Sequence, residues 1–205
     1  MIELYISSLI TFFVVIDPPG CAPIYAGLTS GATAANARAM AIRAVFVATL
    51  ILFAFAGFGE ALLKALGISL DSFRIAGGIM LFLIALEMVF EKRTERREDR
   101  AAKVAATPDV EDVSIFPMAM PMIAGPGSIA SVMLLMSRNH GIERISVVLA
   151  LATILLLCLL ALLAARPIMR VLGAKIEAVI TRLLGVLLAA LAVQFVIDGV
   201  KASLG

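Results

Sequence analysis

The chain has 205 residues, of which 62% are hydrophobic and 16% are charged, and its formal net charge is +2. Soluble domains contain about 45–50% apolar and about 25% charged residues, so this composition is typical of an integral membrane protein. The small net charge and the 6% aromatic content exclude a nucleic-acid-binding protein. The composition also excludes a disordered chain and a disulfide-stabilised secreted domain. The lipid bilayer is the expected partner.

Six charge-poor stretches are each long enough to cross the bilayer as a helix, which takes about 20 residues. No stretch alternates apolar and polar residues, and backbone inside lipid must satisfy its own hydrogen bonds, so the spans are predicted to be helices. The N-terminus lacks the basic residues and cleavage site of a signal peptide, so the first span is expected to be retained. The predicted fold is an all-α polytopic membrane protein with spans at about 2–29, 40–63, 72–91, 114–137, 145–166 and 178–200.

The longest polar interruption, residues 91–113, is predicted to be a solvated loop whose first part continues the third helix into water. Of the 17 Lys and Arg residues, twelve fall in the first, third and fifth connections and five on the other side. The positive-inside rule therefore places this charged linker in the cytoplasm and both termini outside. Acidic and basic residues alternate in the linker, which argues against a nucleic-acid-binding segment.

A shift of 108 residues relates the two ends of the chain. It places Arg74-Ile-Ala-Gly77 on Arg182-Leu-Leu-Gly185, Pro18 on Pro126, and Gly20 on Ser128. We therefore predict two halves, residues 1–97 and 109–205, joined by a linker at 98–108. Three spans in each half invert the second half relative to the first, an arrangement that recurs in secondary transporters.

The first span is interrupted by Asp17-Pro-Pro-Gly, about 21 Å along a helix that starts near Glu3. Two successive prolines remove two backbone donors, and Pro18 disfavours helical geometry at Asp17, so the helix must break here. Asp17 suits an N-cap and Pro18 the first position of a restarted helix.

The fourth span is interrupted at the corresponding position. Pro117 and Pro121 precede Ala124-Gly-Pro-Gly-Ser128, and Ser128 is predicted to cap the helix that follows. Broken backbone at membrane depth is tolerated where it lines a polar cavity. Restarted helix N-termini favour a carboxylate, while freed carbonyls and Asp17 favour a cation, so a small zwitterionic solute fits both breaks.

The remaining polar residues carry weaker hypotheses. Glu87 and Glu60 are interpreted as interfacial carboxylates, with a relay or substrate role for Glu87 as the alternative. Gln194 is expected to hydrogen-bond between helices rather than to contact substrate. The free thiols Cys21 and Cys158 have no redox or metal spacing. No hydrolase, redox or nucleotide-binding motif is present, so an enzyme is not predicted, and no cofactor or metal is expected.

Several segments together resemble the MarC family of bacterial inner-membrane proteins. They are Asp17-Pro-Pro-Gly-x-x-Pro-Ile-Tyr25, the Pro117 to Gly127 stretch ending in Ala-Gly-Pro-Gly, Phe73-Arg-Ile-Ala-Gly-Gly-Ile-Met-Leu-Phe, and the final Arg-Leu-Leu-Gly…Gln194-Phe-Val-Ile-Asp-Gly199. The resemblance implies a location in the bacterial inner membrane and a carrier of small neutral amino acids such as glycine and alanine, driven by a proton or sodium ion. Its motif residues carry over to Asp17, Pro18, Gly20, Pro23, Gly125, Pro126 and Gly127. Cys21 departs from the Asn of many members.

The first hypothesis is therefore a secondary transporter of small neutral amino acids that works by alternating access. The predicted substrate-binding residues are those of the two breaks, Asp17, Pro18, Gly20, Cys21, Pro23 and 125–128, with Glu87 and Gln194 as secondary candidates. A membrane scaffold without transport activity and a small-solute channel are the alternatives. A homo-oligomer is compatible with the sequence.

Overall fold

A computed structural model describes residues 1–90, 92–105 and 112–204, with the backbone alone for residues 93, 94, 100, 101, 103–105 and 168–178. All of the secondary structure that it describes is helical, which confirms the all-α prediction. The elements are α1 (Ile2–Ile16), α2 (Pro18–Leu28), α3 (Ala34–Ala65), α4 (Leu70–Val89), α5 (Lys92–Ala105), the proline-rich segment (Ser114–Ile123), α6 (Pro126–Arg138), α7 (Glu143–Leu163) and α8 (Ala165–Leu204).

Five helical stretches among the described residues are long and apolar enough to span a membrane: Ile2–Leu28, Ala34–Ala65, Leu70–Val89, Glu143–Leu163 and Val179–Leu204. The proline-rich segment and α6 are bent by 50° relative to each other and form a sixth if the pair is counted as one span. Counted in this way, the candidate spans match the predicted number and order.

Two connections differ from their predictions. The predicted loop near 167–177 is helical, because α8 begins at Ala165, one residue after α7 ends. The predicted solvated linker begins with a separate helix, α5, which follows the end of α4 at Phe90. Charged residues such as Lys, Arg and Glu are good helix formers, so a charge-rich connection need not be a loop. The predicted end of the linker, residue 108, lies outside the described residues.

Helices α4 and α8 pack antiparallel at very short distances, because glycines remove the side chains between them. A Cβ atom at Gly185 would lie 2.9 Å from the Cβ of Met88, and one at Gly78 would lie 2.8 Å from the carbonyl oxygen of Ala192. Close approach of this kind through small residues drives association of membrane helices. These are the helices that the 108-residue shift relates; the inverted repeat itself stays a prediction from the sequence.

The polar contacts of the connections fall at two opposite ends of the bundle. At one end Arg43 pairs with Asp112, and the Arg166 guanidinium donates to the carbonyl oxygens of Thr29 at 2.8 Å and Ala32 at 2.9 Å. At the other end, Arg144 pairs with Glu60 at 2.9 Å and Arg138 with Asp198. Alternate connections therefore share an end, as six spans require.

Asp112 anchors the entry to the fourth span. The Ser114 N–H donates to Asp112 Oδ1 at 2.8 Å, and Arg43 pairs with Oδ2. Partial burial alone would raise the pKa of Asp112, but the Ser114 hydrogen bonds and the Arg43 guanidinium outweigh it and hold this pKa below its ordinary value. The folded protein therefore favours the charged form of Asp112.

Candidate functional site

Asp17 forms the break between α1 and α2. Its backbone is left-handed, with φ 59° and ψ 64°, and its N–H ends α1 by donating to the Phe13 carbonyl at 3.0 Å. Asp17 Oδ1 accepts the Gly20 N–H at 3.1 Å, and Pro18 takes the first position of α2. The predicted N-cap and helix restart are confirmed. The cap also occupies the Gly20 N–H, so a solute carboxylate cannot use that donor while Asp17 holds it.

The second break is built differently. Inside the proline-rich segment Phe116 and Met120 are extended, with ψ near 125°, and α6 restarts with Gly125 as N-cap and Pro126 at the first helical position. The prediction that Ser128 caps this helix is wrong, because Pro126 takes the first helical position and the N-cap is Gly125, three residues earlier. Glycine offers no side-chain acceptor, so no side chain caps α6. Helix geometry leaves the N–H groups of Gly127 and Ser128 without a partner inside the helix.

Arg97 on α5 reaches the first break, which sequence reasoning missed. Its guanidinium pairs with Asp17 Oδ2 at 2.9 Å, and the two side chains are only 10% and 2% exposed. An acid inside the membrane needs a partner. Nothing in the run from Glu91 to Arg100 distinguished Arg97 from its basic neighbours. The charged segment 91–113 therefore contributes the buried side chain of Arg97 to the bundle.

A cavity of about 800 Å³ connects these features. Its polar side comprises Arg97, Arg96 and Glu87, together with Gly125, Pro126, Gly127 and Ser128 of the second break. Its apolar side comprises Val15 of α1, residues of α4, and the proline-rich segment. Ser128 is 2% exposed, whereas the side chain of Arg96 is 65% exposed. The cavity is therefore lined both by buried residues such as Ser128 and by exposed residues such as Arg96 and Pro126.

The structure brings together only part of the predicted site. Glu87 lines the cavity and pairs with Arg96 at 2.7 Å. Gln194 is exposed on α8 and donates to Asp198 Oδ1 at 2.7 Å within the same helix, instead of between helices, and it does not line the cavity. Asp17 does not line the cavity, but its ion-pair partner Arg97 does.

The other residues predicted from the first break lie on α2 and do not line the cavity. They are Pro18, Gly20, Cys21 and Pro23. Gly20 contacts Asp17 so closely that a Cβ atom would overlap the carboxylate. Cys21 is fully buried, and its thiol contacts the Ile16 carbonyl oxygen at 3.5 Å. Among the described residues, no group of three or more His, Cys, Asp and Glu could hold a metal ion.

Comparison with known proteins identifies the family. Residues 2–204 match the MarC family of integral membrane proteins. The UPF0056 membrane protein MJ1677 of Methanocaldococcus jannaschii is 35% identical over 99% of this chain and 98% of its own length. YhcE of Escherichia coli is 34% identical, over 96% of this chain and 92% of its own length. YvbG of Bacillus subtilis is also 34% identical, over 98% and 96%. No solved structure matches. The chain spans the membrane several times and belongs to the MarC family.

Proposed function

We propose that the protein is a secondary transporter of small neutral amino acids, of the glycine, alanine and serine type. The observation that carries the proposal is the cavity at the second break, which combines free helix N–H groups with charged side chains of both signs. A polar, partly buried cavity inside the membrane region of an apolar helical bundle is costly unless it serves a solute. Its volume lies within the usual range for small-molecule sites, about 300–1,000 Å³.

The two ends of a zwitterion match different parts of this cavity. The N–H groups of Gly127 and Ser128, with the positive end of the α6 dipole, favour a carboxylate. Glu87 offers a carboxylate to an ammonium group, and its present partner is the exposed Arg96. An apolar surface that includes Val15 and Ile84 suits a short side chain such as hydrogen or methyl. These features support a small neutral amino acid as the solute.

The position of the cavity supports alternating access. It lies between α1 and α4 of the predicted first half and the second break of the predicted second half. Rocking of one half against the other would then expose the same site to each side in turn. We propose a proton or a sodium ion as the coupling ion, and no covalent chemistry or enzyme activity.

Flux in proteoliposomes tests the proposal. Purified protein in vesicles should accumulate labelled glycine, alanine or serine when a proton or sodium gradient is imposed, and empty vesicles should not. Arg38→Gln is a matched control, because Arg38 is exposed on α3 and does not line this cavity, so its loss should change flux little. Absence of protein-dependent flux for all three amino acids under both gradients would refute the proposal.

A membrane scaffold is the second candidate, and the pairing of Asp17 favours it. Both carboxylate oxygens of Asp17 have partners, Gly20 N–H and Arg97, so the residue could serve structure alone. The Asp17→Asn variant distinguishes a carrier from a scaffold. A carrier loses or uncouples transport while it remains folded, whereas a scaffold changes in stability and shows no flux in either form.

We further propose a bacterial inner-membrane location with both termini outside, which the excess of basic residues in alternate connections supports. A membrane-impermeant thiol reagent should label a cysteine introduced at His140 from outside and one introduced at Glu98 only after permeabilisation. Exposed apolar faces on α3 and α8 suit lipid, and they are also compatible with a homo-oligomer.

A further inference from the structure

We propose that the solute's carboxylate displaces Asp17 from Arg97, so that Arg97 is the residue that recognises the solute. Before the solute binds, the Asp17 carboxylate occupies the place that the solute's carboxylate takes on Arg97. The inference rests on the proposed transport function for the identity of the solute. It assigns a specificity-determining role to a residue of the linker helix α5.

The geometry places Arg97 between an internal carboxylate and the solute cavity. Its Nη1 donates to Asp17 Oδ2 at 2.9 Å, while the same side chain lines the cavity. A guanidinium has five N–H donors in a planar fork, so one bond to Asp17 leaves donors for a second carboxylate. Gly127 and Ser128, at the start of α6 where the cap residue has no side-chain acceptor, line the same cavity. A solute carboxylate thus finds donors on α5 and α6.

Asp17 is held so that the exchange is reversible. Oδ1 keeps the Gly20 N–H bond whether or not Oδ2 is paired, which fixes the carboxylate in place. A solute carboxylate that accepts from the guanidinium through both oxygens makes two parallel bonds, which compete well with the single bond that Arg97 donates to Asp17. Asp17 would then be a buried carboxylate without its cation, a costly state unless a positive group replaces Arg97. The solute's own ammonium group meets that need.

The exchange links recognition to the position of α5. Within the described residues, the Asp17–Arg97 pair is the only ion pair between the first break and α5. A solute that removes Asp17 from Arg97 removes this link as well. The solute must carry a carboxylate to begin the exchange and a positive group to complete it, which selects zwitterions over simple acids or amines.

Binding measurements with three probes test the exchange. The probes are glycine, acetate, which lacks the ammonium group, and glycinamide, which lacks the carboxylate. Affinities are measured by titration calorimetry on the purified protein, wild type and variants, with Arg38→Gln as the matched control, because Arg38 is exposed and does not line this cavity. For the wild type we expect glycine to bind more tightly than either analogue.

The two members of the pair should respond in opposite directions. Arg97→Gln should weaken glycine binding roughly 10- to 100-fold, from the loss of charge-assisted hydrogen bonds. Asp17→Asn frees Arg97 and should tighten acetate binding while it weakens the preference for glycine over acetate. Arg97→Lys keeps the charge but loses the fork, and should fall between wild type and Arg97→Gln. The Asp17→Asn/Arg97→Gln variant removes both buried charges. It therefore shows whether weaker binding comes from the loss of Arg97 or from an unpaired charge left inside the protein.

A purely structural pair would weaken all probes alike in both single variants, or would leave binding unchanged in the double variant; either result overturns the inference. Unchanged or weaker acetate binding in Asp17→Asn would also overturn it. Failure of the proposed transport is distinguishable: tighter acetate binding in Asp17→Asn, together with no flux of any amino acid through the wild type, supports the exchange and refutes the carrier.

Discussion

Loss of Arg97 should destabilise the protein far more than loss of the adjacent Arg96. Arg97 and Asp17 are 10% and 2% exposed and lie 2.9 Å apart. Removal of one partner from a buried pair costs about 3–5 kcal/mol, because the other charge is left unpaired. Asp17 keeps its Gly20 hydrogen bond on one oxygen, so we expect the lower end, about 3 kcal/mol, for Arg97→Gln.

The neighbouring pair supplies the control. Arg96 is 65% exposed and pairs with Glu87, itself 25% exposed, so Arg96→Gln should cost about 0–1 kcal/mol. Unfolding free energies come from denaturing-detergent titrations followed by far-UV circular dichroism at pH 7. The Asp17→Asn/Arg97→Gln variant should recover part of the stability lost in Arg97→Gln, because no buried charge remains. If Arg97→Gln cost no more than Arg96→Gln, the buried pair would not exist in the folded protein.

Three further expectations concern other parts of the fold. Gly127→Ala should abolish transport, because its methyl group would lie in the cavity wall, and should lower stability by only about 1 kcal/mol, because the atom 2.5 Å away is Cδ1 at the end of the flexible Ile84 side chain; wild-type flux would contradict the effect on transport. Gly185→Ala should lower the melting temperature by forcing α8 away from α4, and an unchanged melting temperature would refute that close packing. The stability that the charged Asp112 contributes should be present at neutral pH and should vanish as the pH falls through its lowered pKa. The melting temperatures of wild type and Asp112→Asn should therefore converge in acid. A difference that stays constant with pH would argue against the pairing of Asp112 with Arg43.

The spans and both breaks were predictable because they depend on local chemistry. Hydropathy alone locates a helix in lipid, and consecutive prolines interrupt it whatever surrounds them. Asp17 and Pro18 therefore took their predicted positions as cap and first helical residue. The cap of α6 was misplaced by three residues, because Gly125 can precede a helix without any side-chain hydrogen bond to indicate it.

The partner of Asp17 could not be predicted, because the contact depends on tertiary packing. Arg97 is 80 residues away in the chain and lies within a run of similar charges. Only the packing of α5 against α2 places Arg97, rather than another basic residue of that run, beside Asp17. The partner of Gln194 was also predicted wrongly from the sequence. A bond between helices was expected, but Gln194 donates to Asp198, a carboxylate one turn away on the same helix.

The central claim is that a solute occupies the cavity at the second break and is carried across the membrane. Solute counterflow tests it most directly, because vesicles loaded with unlabelled alanine and placed in trace labelled alanine need no coupling gradient. The proposal predicts transient accumulation of label inside vesicles that contain the wild type, and none with Gly127→Ala. A scaffold would give no accumulation, and a channel would give equilibration without overshoot. Either of these results with the wild type would contradict the proposed transport function.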